Sequence, residues 1–206
     1  MITPEKLGSI EEQGKYLQKV IKNPKFLHLE GAFQETPFFI YPYDPKRALE
    51  VARMKDDLLR NLKVFEPSVD VLEINIYDLA IEHLQELGVW EQLLEKETEL
   101  EPDEFAELLR GMLDPGEDLA PKMAEKLAEH RGCEVVFLTG IGQVFPYIRA
   151  HTLLNNLSTV INKHPLLLFF PGFYRQSENV GSTLELFGQL KNDQYYRARN
   201  ILEVEV

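Results

Sequence analysis

A chain of 206 residues with 44% apolar content is long enough for one domain, residues 1–206, that buries roughly 70% of its unfolded surface without staples, and this composition excludes a disordered or fibrous protein. The formal net charge of -12 opposes phosphate backbones, because nucleic-acid binding draws much of its affinity from lysine and arginine displacing counterions; no DNA binding is expected of the isolated protein. The single cysteine, Cys133, cannot form an internal disulfide or build a zinc site alone. No run approaches the roughly 20 apolar residues of a membrane span, and Met1 to Glu12 is acidic and polar, unlike a signal peptide. A cytoplasmic protein with no membrane partner is expected.

Ser9 with Glu12 three residues on spells a capping box, and Tyr16, Leu17, Val20 and Ile21 follow at helical spacing until Pro24. Phe38-Phe39-Ile40-Tyr41 reads as a buried strand closed by Pro42. Asp44-Pro45 supplies an N-cap and first-turn proline for a helix whose predicted buried side is Leu49, Ala52, Leu58, Leu59 and Leu62, ending before Pro67. A second strand spans Val69 to Ile76. Asp78 is the predicted cap of the next helix, with Leu79, Leu84 and Leu87 leading to Gly88 as a left-handed terminus.

From about 89 to 131 the pattern is helical only, with Leu93, Leu94, Phe105, Leu108, Leu109, Met112, Leu119, Met123 and Leu127 apolar and Pro102 and Pro115-Gly116 as punctuation. This helical insertion carries the acidic run Glu95, Glu97, Glu99, Glu101, Asp103, Glu104 and Glu107, a solvated face or a partner-docking arm. Strand character returns at Val135 to Leu138, followed by Thr139-Gly140-Ile141-Gly142, Pro146, an apolar helix from Tyr147 to Ile161, and a last core strand at Leu166 to Phe170. Both runs are apolar at every residue, as strands covered on both faces are. The expected fold is α/β, a mostly parallel sheet flanked by helices in a degenerate P-loop or Rossmann-like layout, with the insertion at one end or face.

Strand, glycine turn, helix can present backbone N–H groups to a phosphate, which makes Gly140, Gly142, Arg149 and His151 a candidate anion or nucleotide site. The third glycine of a dinucleotide fingerprint is replaced by Phe145, and no phosphate-loop lysine with Ser or Thr follows. Gly14-Lys15 fails too, with Ser9 at the leading glycine position and Tyr16 where a magnesium-binding hydroxyl belongs, so triphosphate hydrolysis is not expected. The histidines His28, His83, His130, His151 and His164 form no metal-binding pair, and no Gly-x-Ser-x-Gly elbow is present. No catalytic residues, metal or cofactor are expected. Asp70 and Asp78, flanking the second strand, are the weakest remaining candidates for metal-dependent hydrolysis, and Lys15, Lys19, Lys22 and Lys25 for a local basic stripe.

Longer blocks carry a resemblance. Thr139-Gly140-Ile141-Gly142 with Phe145-Pro146-x-x-Arg149-x-His151-x-Leu153-Leu154-Asn155-Asn156, then Phe170-Pro171-Gly172-x-Tyr174, is similar to the BrxB family of BREX bacteriophage-exclusion systems. Leu184-x-Leu186-Phe187-x-x-Leu190-Lys191-x-Asp193-x-Tyr195-Tyr196-Arg197-Ala198 resembles that family's closing signature, although Gln189 replaces an arginine and the link from Arg175 to Thr183 is longer. The resemblance implies a component of an antiviral defence system acting beside PglZ, a phosphatase-like protein, with no catalytic residue to carry over. The leading reading is therefore a non-enzymatic adaptor that binds PglZ or other BREX proteins through Tyr195, Tyr196, Arg197 and Lys191, residue types that suit binding hot spots. The alternative is a degenerate nucleotide- or phosphate-binding regulator without hydrolysis.

Overall fold

The computed structural model describes residues 8–177, 181–188, 190–192 and 198–204. Its first helix, α1 (Ile10–Ile21), opens on the expected capping box: the Ser9 amide donates to Glu12 Oε2 at 2.7 Å and the Glu12 amide donates to Ser9 Oγ at 3.3 Å. A short helix, α2 (Pro24–Leu27), leads to β1 (Phe38–Tyr43). Asp44 accepts from the Lys46 amide and starts a 3-10 turn that runs into α3 (Ala48–Val64). The inner face of α3 is Val51, Met54, Leu58 and Leu62. Leu49 and Ala52, predicted on that face, point outward, because the 51, 54, 58, 62 stripe sets the rotation of the helix.

Strand β2 (Val71–Asn75) is followed by four helices before the chain returns to the sheet: α4 (Ile76–Glu86), α5 (Trp90–Glu99), α6 (Pro102–Met112) and α7 (Ala120–Glu129). Gly88 ends α4 with φ +70°, as its position predicts. The cap of α4 is Asn75, whose Oδ1 accepts from the Tyr77 amide at 3.0 Å, and not Asp78. A π-helical turn, Pro115–Leu119, joins α6 to α7; Asp114 Oδ1 accepts from the amides of Gly116 and Glu117 and so satisfies the turn's free donors.

The remaining elements are β3 (Val135–Thr139), α8 (Ala150–Leu157), β4 (Leu166–Ser177), β5 (Gly181–Leu186), β6 (Leu190–Asn192) and β7 (Ala198–Asn200). The strand order β2-β3-β4-β1-β7 is parallel throughout, with Phe38 opposite Leu166 and Val136 also opposite Leu166. Strand β4 does not stop at Phe170. Its outer half pairs antiparallel with β5, and β5 with β6, so the sheet is mostly parallel with an antiparallel extension.

Two apolar layers cover the sheet. On one face α1 and α3 pack Leu17, Ile21, Met54 and Leu58 against Phe39, Tyr41, Phe137 and Phe169. On the other, α4, α7 and α8 pack Leu79, Met123, Leu153 and Leu157 against Ile40, Ile74, Val136 and Leu168. The helical insertion thus belongs to one face. Residues Val135 to Leu138 and Leu166 to Leu168 are wholly buried, which is why both runs are apolar at every position instead of alternating.

Tyr41 adds a polar tie inside this core: its hydroxyl donates to Gln13 Oε1 at 2.6 Å, joining β1 to α1, and burial raises its pKa well above the ordinary tyrosine range. Among the described residues β2 is an outer strand, and its Glu73 is held by Lys55 from α3 and by the Thr139 hydroxyl at 3.3 Å.

Candidate functional site: a groove on the helical insertion

In open parallel sheets ligands usually lie beyond the carboxyl ends of the strands, and the predicted anion site falls there. Gly140 has φ +79°, and a Cβ on it would drive into the Asn75 side chain that caps α4. Gly142 is closed differently, since a Cβ there would meet Pro171 Cγ at 2.9 Å and the Phe187 ring at 3.2 Å. Both glycines are in close packing: the first admits a helix cap, the second the open end of the β4–β5 pair. Each faces protein atoms.

Arg149, which falls inside the helix expected from Tyr147, is the N-cap residue of α8, because Val144–Ile148 forms separate turns and Arg149 is extended. It is exposed and makes no ion pair among the described residues. His151, two residues on, is partly buried. Burial first, and the Arg149 charge second, lower its pKa; His164 is lowered by burial and by Lys163. A histidine that resists protonation when folded stabilises the fold fully above the unfolded value, about 6.5, and that stability is lost as pH falls through the lowered folded value. The melting temperature is accordingly expected to fall as the pH drops below about 6.5, with a shallower fall in a His151→Gln, His164→Gln double variant.

Asp70 precedes β2 at its amino end and Asp78 follows it on α4, so a five-residue strand separates them. At about 3.3 Å per residue that places the two carboxylates on opposite ends of the sheet, too far apart to share a metal. Asp70 is instead engaged by His130 at 2.8 Å. No group of three or more His, Cys, Asp or Glu side chains able to hold a metal forms among the described residues. Cys133 is buried just before β3, and burial raises its thiol pKa. Lys191 lies in β6, while Tyr195, Tyr196 and Arg197 lie outside the described residues.

The feature that sequence reasoning missed is a groove of about 320 Å³ between α4, α5, α6 and the loop before α8. Tyr77 and Ile81 from α4, Trp90 and Leu94 from α5, Phe105 from α6 and Tyr147 from the loop form its walls. Positions 90, 93, 94 and 97 of α5 follow helical spacing, so one stripe supplies both the buried Leu93 and the open Leu94. Tyr77 is 41% exposed and Leu94 44%. Around this apolar floor every acidic residue from Glu91 to Glu107 is exposed, and their only ion pair among the described residues is Lys96 with Glu99.

Residues 72–201 match the family described as BREX protein BrxB. The chain belongs to the BrxB family. It is 33% identical to a BREX protein BrxB of Bacillus cereus (strain H3081.97) over 185 residues, 89% of this chain and 92% of that protein. It is 29% identical to a BREX protein BrxB of Escherichia coli O9:H4 (strain HS) over 189 residues, 92% of this chain and 90% of that one. No solved structure matches. The matched span takes in the insertion, its groove and the glycine turn, and membership of the BrxB family makes the chain a component of a BREX system. No helix among the described residues is long and apolar enough to cross a membrane.

Proposed function

We propose that this BrxB-family protein acts as a non-enzymatic adaptor in the cytoplasm, a single α/β domain that joins other proteins of an antiviral BREX system, PglZ first among them. The observation that carries this reading is the partly uncovered aromatic groove on the insertion, built mainly from tyrosine, tryptophan, phenylalanine and leucine, with Glu97 as its charged lining residue. Aromatic side chains that are half exposed on a single chain are the residue types that dominate binding energy when a partner covers them, often by about 2 kcal/mol or more on truncation. In this reading Lys191, Tyr195, Tyr196 and Arg197 form a second contact surface.

Co-expression of the tagged protein with the other components of its own BREX system tests the reading. Retention of PglZ or another component through purification is the expected result; sedimentation of each protein alone in micromolar mixtures would refute it. The exposed Arg149 beside His151 motivates the alternative, a phosphate-binding regulator. Calorimetric heat with ATP, GTP or a cyclic dinucleotide, lost in Arg149→Ala, is its signature, and a flat titration across that panel removes it.

A further inference from the structure

We propose that the groove between α4, α5 and α6 receives an apolar helix of a partner protein whose flanks carry lysine and arginine, an inference that rests on the adaptor reading above. The groove is a seam between helices and has no free sheet edge in it, so the fitting occupant is a helix laying one apolar stripe between the ridges of α4 and α5, with anchors at i, i+3 or i+4 and i+7. A small molecule fits it poorly. Its size is near the lower end of ligand sites, about 300 Å³, and apart from the tyrosine hydroxyls and the Trp90 indole N–H only the Gln143 and Glu97 side chains offer polar atoms to fix an orientation.

Charge selects the partner. From Glu91 to Glu107 the chain carries eight carboxylates against one lysine, Lys96, whose charge is already paired with Glu99. All eight are exposed on α5, α6 and at Glu101 between them, and Glu97 lines the groove itself. A second copy of this chain would bring an equal set of carboxylates to the same seam, and an anionic lipid surface would be repelled likewise. A basic-flanked helix gains on both counts: its apolar stripe covers Tyr77, Trp90 and Leu94, and its cations meet a field that also speeds encounter.

The test places the photo-crosslinking residue benzoylphenylalanine at position 94, or at position 49 on the opposite face as control, in the full chain co-expressed with its BREX system. The expected result is an adduct from position 94, not from 49, whose cross-linked segment in another BREX component is helical and rich in lysine or arginine. Leu94→Glu and the triple change Glu91→Lys, Glu95→Lys, Glu104→Lys should each reduce retention of that component about tenfold or more, and about 1 M salt should reproduce the charge effect. Leu94 and the three glutamates are exposed, so these variants fold; Leu49→Glu, at a residue 78% exposed on α3, should retain the partner fully. Co-purification of components with no adduct at position 94, or with an adduct to an acidic or extended segment or to a second copy of this chain, overturns the inference and leaves the adaptor reading standing. Absence of any co-purifying component overturns both.

Discussion

Replacing Gly140 by alanine is expected to destabilise the protein by about 2–4 kcal/mol, read as a lower urea midpoint at unchanged slope. Two costs add. The backbone sits at φ +79°, where an L side chain loses roughly 1–2 kcal/mol, and the new methyl group would occupy space held by Asn75 Oδ1, with the Tyr77 amide 3.2 Å away. Because Asn75 caps α4, relief of that clash dislodges the cap as well. Gly88 provides the internal comparison, since it shares the left-handed geometry at φ +70° but nothing lies within 4 Å of its Cβ position. Gly88→Ala should therefore lose only the backbone share, about 1 kcal/mol. Equal losses at the two sites would show that the approach of Asn75 contributes nothing.

Phe137→Ala should cost about 3–5 kcal/mol, the range for emptying the space of a buried aromatic side chain. Phe137 is wholly buried in β3, between Glu73 of β2 and Leu167 of β4, with its ring 5.3 Å from that of Phe169. It lies under the α1–α3 layer in the middle of the sheet, where the surroundings have little freedom to collapse. Phe173, half exposed on the outer part of β4, is the matched control. Its removal should move the urea midpoint little, and a large loss there with a small one at Phe137 would contradict the placement of the core.

Much of this architecture is legible in the chain because it is specified locally. The Ser9–Glu12 box, the Asp44-Pro45 start and Gly88 each name a helix end by the chemistry of unsatisfied backbone groups. The runs at Val135 and Leu166 declare strands buried on both faces by having no polar position. What fails locally is decided at a distance. The strand expected over Leu166 to Phe170 runs on, and Gly172 continues β4 because its missing side chain lets the Glu185 backbone approach from β5. Val144 and Ile148 have helical spacing, but their turns end at an extended Arg149, and α8 begins only at Ala150.

The groove illustrates the same limit for function. Periodicity marks Trp90, Leu93, Leu94 and Phe105 as apolar faces, but spacing alone does not say whether a neighbouring element covers them. Leu93 is covered and Leu94 is not, a distinction made by how α5 and α6 lean on α4. Spacing is equally silent about the glycine turn: it does not say that a Cβ on Gly140 would meet Asn75, or one on Gly142 Pro171 and Phe187.

Glu73 in the middle of β2 has a consequence for how the molecule behaves in company. A flat margin of Val71, Leu72 and Ile74 would invite the backbone of a neighbouring molecule to anneal onto it and extend one sheet into the next. A carboxylate clamped by Lys55 at the centre of that margin makes such stacking expensive, since the intruder would have to strip water from the pair. In a crowded assembly of several proteins, that gatekeeper keeps this sheet finite.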